Sequence, residues 1–348
     1  MSSVHQFVST PIEKRSPQDL LEMIGCAIKL EHATIPPYLT ALWSIQDPAH
    51  DAYGILQTIV VEEMAHMGFM CNLLTTFDGQ LPITATDFVP QYPTPLPCGI
   101  APRVIPPNLH TWQVGLSRLT PAVVSDIFMI IEYPECGPIA VADRQRATFH
   151  TIGEFYDAIA KTLEYLVDTK QITITGHRQI NDPNSGVSPI TNLREALKAI
   201  EDIKEQGEGT PQSPDAPDLG NELAHYYRFK QIQVGRMYEQ LPDTTWHLTG
   251  KFLDFPACYP IADVPKDGYS GPGVPPELAQ FNRDYKTLLA TLQSAWDQGG
   301  DAGETILQRA EFDMMPALST TAVNIMKKSI DSGHPERGNY APTFQIPQ

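Results

Sequence analysis

Apolar residues recur at helical spacing in several long segments of the chain, and proline-rich segments separate them. The first segment begins at Ser16, a favourable helix N-cap with Asp19 in the following turn, and we predict one helix from there to about Gln46. Its apolar face consists of Ile24, Ile28, Ile35, Tyr38 and Leu42. We expect two consecutive prolines, Pro36 and Pro37, to kink this helix, because each removes a backbone donor.

The same periodicity predicts further helices along the chain. They cover about residues 51–77, 120–131, 151–168, 192–206, 219–238, 277–297 and 303–330. Two proline-rich segments with little periodicity, 80–108 and 241–276, are predicted as long ordered loops. No segment alternates as a strand does, so we predict an all-α fold. It has a four-helix bundle at 16–240 and, packed on it, a proline-rich loop with a C-terminal helical extension at 241–348.

Acidic residues and histidines interrupt the apolar faces of four of these helices. An ionised carboxylate in such a place costs several kcal/mol unless it is compensated. Along the chain the order is Glu, Glu-x-x-His, Glu, Glu-x-x-His, the pattern of a dinuclear carboxylate site in a four-helix bundle. The three-residue spacing would put each glutamate and histidine on one helix face. The predicted metal ligands are Glu31, Glu63, His66, Glu154, Glu222 and His225.

The donor types indicate which metal this site would take. Carboxylate oxygens with two imidazoles suit iron or manganese better than copper or zinc, and four carboxylates would neutralise two divalent cations. We therefore predict two iron ions, with manganese as the alternative. Two residues keep other interpretations. Glu154 also fits a capping box with Thr151, and His150 is either a further nitrogen ligand or an ordinary loop histidine. Glu62 points away from Glu63 and is expected to be solvated or to support a ligand.

Composition excludes several kinds of partner. The chain of 348 residues has 24 Lys and Arg against 41 Asp and Glu, a net charge of −17, which argues against binding nucleic acid or an anionic membrane. No apolar run is long enough to span a bilayer, and the first residues lack a signal-like apolar core. Five scattered cysteines without a Cys-x-x-Cys pair do not suggest a disulfide framework, so we expect a cytoplasmic protein.

Several segments together resemble a known family. They are EHATIPPYLTALWSI (31–45), EEMAHMGFMCNLL (62–74), TIGEFY (151–156), KEQGEG (204–209) and ELAHYYRF (222–229). These segments resemble the ferritin-like domain of the iminophenyl-pyruvate dimer synthase family, which includes violacein and indolocarbazole pathway enzymes related to chromopyrrolate synthase. The resemblance extends over about residues 16–238, and APTF (341–344) also looks similar.

The resemblance implies a ferritin-like bundle and oxidative chemistry in secondary metabolism. Enzymes of this family couple two imines derived from an aromatic amino acid. We therefore expect a non-haem di-iron oxidase or oxygenase that uses dioxygen and a small aromatic or amino-acid-derived substrate. Haem is associated with the group, although the sequence has no Cys-x-x-Cys-His attachment motif. The alternative is an iron-sequestering protein without substrate turnover. Residues 80–108 and 241–276 are the expected pocket walls, and KEQGEG is either a solvated helix end or part of the pocket.

Overall fold

The computed structural model describes residues 7, 9–100, 112–134, 152–208, 215–216, 222–242 and 246–347, and it is mainly helical. We number the helices in chain order. The α3 helix consists of three consecutive pieces, Pro121–Val123, Val124–Phe128 and Met129–Ile131, and the middle piece is π-helical. The other helices are α1 (Pro17–Ser44), α2 (Asp51–Thr75), α4 (Ile152–Asp168), α5 (Leu193–Glu208), α6 (His225–Val234), α7 (Pro276–Gln298), α8 (Gly300–Arg309) and α9 (Met315–Met326). A π-helical turn, Ala310–Met314, joins α8 to α9. The predicted all-α class is confirmed. None of the described helices combines the length and hydrophobicity that a bilayer span requires.

Local sequence explains where α1 begins. The Ser16 hydroxyl accepts a hydrogen bond from the Asp19 backbone N–H at 3.2 Å, and the Asp19 carboxylate accepts one from the Ser16 backbone N–H at 2.7 Å. This reciprocal capping box satisfies two donors that a helix N-terminus otherwise leaves unpaired. The predicted start is therefore confirmed. The helix continues through Pro36 and Pro37 to Ser44.

The prediction of one helix over 219–238 is wrong at both ends. Ahead of His225 the chain is extended, and the two-residue strand β2 (Glu222–Leu223) pairs antiparallel with β1 (Asp215–Ala216). The helix ends at Val234, because Gly235 takes a left-handed φ of 74° that favours glycine. A second antiparallel pair joins β3 (Glu239–Gln240) to β4 (Trp246–His247). The expectation of a chain without strands is corrected by these two short pairs.

The bundle is closed on one side by α3 to α6 and on the other by the C-terminal helices. α1 and α2 pack along each other; α4 packs on α1, and α6 packs on α2, α3 and α5. α7 and α9 cover the opposite side of α1 and α2. Trp296 Nε1 of α7 donates a hydrogen bond to Asn72 Oδ1 of α2 at 2.9 Å. The α1–α2 pair is thus a wall with a different environment on each face.

The first proline-rich loop is fixed to α1. Tyr92 donates a hydrogen bond from its hydroxyl to the Ala33 carbonyl at 2.8 Å. Cys98 forms a disulfide with Cys26 of α1, across a Cα–Cα distance of 6.2 Å. The expectation that the cysteines form no disulfide is therefore wrong for this pair. Residues 101–108 of the loop lie outside the described part of the chain.

Candidate metal centre

Five buried side chains from four helices meet on the inner side of the α1–α2 wall. They form two overlapping groups whose ligand atoms lie within 4.8 Å of one another, namely Glu31, Glu63 and His66, and Glu63, Glu132 and His225. Metal–ligand bonds of about 2.0–2.2 Å place ligand atoms on opposite sides of an ion about 4.2 Å apart. Each group therefore has the dimensions to surround one ion after small side-chain movements.

Glu63 belongs to both groups. Its Oε1 is 3.7 Å from His66 Nδ1 and 2.9 Å from His225 Nδ1. Glu31 Oε2 completes the first group at 3.5 Å from His66 Nδ1. Glu132 Oε2 completes the second at 3.6 Å from His225 Nδ1. The two imidazole rings stack with centroids 5.5 Å apart. If each group held an ion, Glu63 would be the ligand that the two groups share.

A hydroxyl group holds the far oxygen of each carboxylate. Thr34 donates to Glu63 Oε2 at 2.6 Å, and Tyr38 donates to Glu132 Oε1 at 2.5 Å. Tyr156 of α4 donates to Glu31 Oε1. One oxygen of each carboxylate is thereby engaged, and the other faces the histidines. Such hydrogen bonds fix the orientation of ligands and are part of a metal site.

The outer nitrogen of each histidine has an acceptor that sets its tautomer. Gln206 Oε1 lies 2.6 Å from His66 Nε2, and Glu62 Oε2 lies 2.7 Å from His225 Nε2. Because an amide or carboxylate oxygen only accepts, each Nε2 must carry the proton. In the neutral ring, each Nδ1 then presents a lone pair to the carboxylates. Arg228 also contacts Glu62 and holds this carboxylate in place.

The charges of the site change the proton affinities of its members. Burial alone lowers the pKa of His225, but its contacts with Glu132, Glu62 and Glu63 outweigh burial and raise the pKa well above its ordinary value. Burial raises the pKa of Glu132, and the charge of Glu63 adds to the rise. Burial also raises the pKa of Glu62, but His225 and Arg228 prevail and hold it at about 2. The clustered carboxylates therefore favour cations, whether protons on histidine or metal ions.

Four of the five side chains, Glu31, Glu63, His66 and Glu132, border a small cavity of about 30 Å³. Gly207 of α5 lies at its edge, where a Cβ atom would stand 3.3 Å from Glu132 Oε2. Glycine leaves this oxygen open to the cavity. Lys204 also lines the cavity, so of the two interpretations of the KEQGEG segment the structure favours the one that places it at the pocket.

Two of the six predicted ligands lie outside these groups. Glu154 is half-buried on α4 and belongs to neither group. Glu222 lies in β2 and is exposed, so the helical spacing assumed between Glu222 and His225 is absent. The extended backbone that precedes α6 brings Glu222 toward Glu62 and Arg228 instead. Thr151 and His150 lie outside the described residues.

Glu132 was missed because α3 is short and includes a π-helical stretch. The sequence prediction ended this helix at Ile131, one residue before Glu132. The Glu132 backbone N–H still bonds to the Phe128 carbonyl at 3.1 Å, so the helical hydrogen bonding continues one residue beyond Ile131 and includes Glu132. A lone acidic residue at the end of the apolar run 127–131 was the available signal. The structure thus brings together Glu31, Glu63, His66 and His225 of the predicted set, with Glu132 as the added carboxylate.

Comparison with known proteins identifies the family and the fold of this chain. The sequence model of a family described as ferritin-like matches residues 24–234, a range that contains all five residues. A ferritin-like protein from Caulobacter vibrioides, solved by crystallography, superposes with a TM-score of 0.64 at 24% identity, over 95% of this chain and 99% of that one. At this identity the likeness shows a common fold. No curated protein matches the chain.

Proposed function

Because this chain belongs to the ferritin-like family, we propose that it is a dinuclear metal oxidase that uses dioxygen to oxidise a small substrate. One observation carries the proposal. Three carboxylate oxygens and two imidazole nitrogens converge in a buried site, and each of the five has a second partner that fixes its orientation.

The residues fit the metal pair by their chemistry. His225 Nδ1 is fully buried and makes no hydrogen bond to any described residue, although Glu63 Oε1 is 2.9 Å away. A metal ion bound between them would use this nitrogen. Oxygen donors with imidazole suit iron or manganese. Three carboxylates carry −3 and two divalent ions +4, so a charge of +1 remains that one small anion would neutralise.

The protein residues have definite tasks in such a reaction. When bound, two ferrous ions would supply the electrons that reduce dioxygen. Thr34, Tyr38 and Tyr156 hold the carboxylates in one orientation, which lowers the reorganisation needed when ions bind. The cavity of about 30 Å³ has room for a molecule of the size of water. Because the two histidines must lose their Nδ1 protons to bind metal, metal binding releases protons and weakens at low pH.

We further propose that the substrate is derived from an aromatic amino acid. The support is the resemblance of the segments around the ligands to the iminophenyl-pyruvate dimer synthase family. In a coupling of that kind, two imines, reacting as their enamine tautomers, form one carbon–carbon bond. Together they lose two electrons and two protons, and dioxygen accepts these as hydrogen peroxide. Iron is the metal proposed, with manganese as the alternative.

The test is a single-turnover experiment on the full chain. Protein loaded anaerobically with two ferrous ions is mixed with dioxygen, in the presence or absence of phenylpyruvate and ammonium, which form the imine in solution. We expect dioxygen uptake to depend on substrate, with a coupled product two hydrogens lighter than two imines, detected by mass spectrometry. His225→Ala should abolish this product, and Arg283→Gln, on the exposed face of α7, should leave it unchanged.

Two outcomes would overturn the proposal. If dioxygen uptake is independent of substrate and ends in ferric mineral, the protein sequesters iron. If fewer than two metal ions bind per chain at saturation, the dinuclear assignment fails. Repeating the reaction with indolepyruvate would determine whether the aromatic ring of the substrate is discriminated.

A further inference from the structure

A second internal space lies on the other face of the α1–α2 wall, away from the candidate metal centre. It is a cavity of about 100 Å³ lined by residues of α1, α2 and α7 to α9, by the π-helical turn Ala310–Met314, and by Ser185 and Val187. Its lining is almost entirely apolar, with Leu39, Met67, Leu292 and Trp296 as examples. For comparison, an engineered apolar cavity of about 150 Å³ stays dry and binds benzene. The cavity therefore has room for a molecule close to the size of one aromatic ring.

His32 is one of the residues with polar side-chain atoms in this lining, with Ser185, Tyr285 and Glu311. It is 3% exposed, and its Nε2 is 2.6 Å from the Tyr285 hydroxyl oxygen. Its Nδ1 is buried and has no hydrogen-bond partner among the described residues. A buried polar atom without a partner costs about 1–3 kcal/mol. Whichever ring nitrogen carries the proton, Nδ1 keeps an unused capacity to donate or to accept a hydrogen bond.

An outer cleft adjoins the cavity. This cleft of about 440 Å³ shares five lining residues with it, namely Leu39, Met64, Ser185, Glu311 and Met315. The cleft opens beside Phe312, which is 61% exposed. Both Phe312 and Glu311 belong to the π-helical turn Ala310–Met314. Such turns occur frequently at functional sites, because they re-aim side chains that a regular helix would place elsewhere.

From these observations we propose that this cavity binds a small molecule consisting of one aromatic ring with a hydroxyl group, which hydrogen-bonds to His32 Nδ1. A hydroxyl both donates and accepts, so it satisfies either tautomer of the imidazole. The ring occupies the apolar lining, and larger substituents extend into the outer cleft. This inference does not depend on metal binding, because none of the five candidate ligands lines the cavity.

The test uses phenol and benzene as probes, titrated calorimetrically into the full-length protein. We expect phenol to bind with one molecule per chain. Leu292→Phe, which places a ring inside the cavity, should weaken phenol binding at least tenfold. Leu197→Phe is the matched control, because Leu197 is a half-buried leucine of α5 outside the cavity lining. It should leave phenol affinity unchanged.

A second variant tests the hydrogen bond. His32→Phe should weaken phenol binding about fivefold, which is the typical contribution of one neutral hydrogen bond. Benzene binding should change less than twofold, because benzene makes no hydrogen bond to His32. The proposal is overturned if phenol does not bind the wild type, or if Leu292→Phe binds phenol as well as the wild type does. It is also overturned if Glu63→Gln, and not Leu292→Phe, removes phenol binding, because the ring would then lie at the metal centre.

Discussion

If the proposed pair of metal ions binds, replacing Glu132 by glutamine should cost the protein one of them. The substitution keeps the size of the side chain and its bond to Tyr38, but it removes the charged oxygen that faces His225. Glu132 belongs only to the second ligand group, so Glu31, Glu63 and His66 of the first group remain in place.

The size of the effect follows from mass action. At a free metal concentration 100-fold above the dissociation constant, each ion stabilises the folded state by about 2.7 kcal/mol. For 348 residues, an unfolding entropy of about 2.1 cal/mol/K per residue amounts to about 0.7 kcal/mol/K. Each ion should therefore raise Tm by about 4 °C. We expect a rise of about 8 °C for the wild type and about 4 °C for Glu132→Gln.

The assay is a thermal unfolding series with Mn²⁺, which does not oxidise during the measurement, together with metal content after dialysis. Glu154→Gln is the matched control, because it removes a carboxylate from a neighbouring helix that lies outside both groups. It should keep two ions and the full rise in Tm. Glu63→Gln, which alters the shared ligand, should lose both. The reasoning is refuted if Glu154→Gln loses an ion and Glu132→Gln retains two.

Other parts of the molecule give three further predictions. Burial raises the pKa of Glu311 to about 8, and its neighbour Asp182 adds to the rise. Between pH 4.5 and about 8 the folded state holds a proton that the unfolded state has released, so the free energy of unfolding should fall with pH. Glu311→Gln should flatten this profile in urea titrations at pH 5 to 8; parallel profiles for variant and wild type would contradict it. Replacing Cys26 and Cys98 by alanine opens a 72-residue loop and should cost about 2–4 kcal/mol of unfolding free energy. Adding reductant should not lower the free energy of unfolding of this double variant any further in the same urea titration. Gln206→Leu removes the acceptor at His66 Nε2 in the candidate metal centre and should weaken Mn²⁺ binding about 10–100-fold in calorimetry. An unchanged affinity would show that this orientation does not matter.

The sequence predicts what depends on local periodicity and fails where short elements or distant contacts decide. Ser16 and the apolar face of α1 placed Glu31 inside the bundle, and the three-residue spacing within α2 placed Glu63 beside His66. Glu222 was assigned to a helix because its spacing to His225 looks helical. The short strand pair β1–β2 overrides that spacing through contacts that the local pattern does not contain. The cavity at His32 is formed in part by α7 and α9, which lie more than 200 residues after His32 in the sequence. The local pattern around His32 therefore does not predict it.

Glu31 and His32 are consecutive residues of one helix, and they serve the two different spaces on either side of it. Only α1 and α2 separate those two spaces. Any shift of α1 along its axis, or any rotation about it, moves both residues together. If occupancy of one space displaces this helix, thermodynamic linkage requires equal and reciprocal changes in affinity. A phenolic ligand that weakens Mn²⁺ binding threefold must itself bind three times more weakly to the metal-loaded protein. Two independent titrations of the same chain would thus measure one coupling free energy.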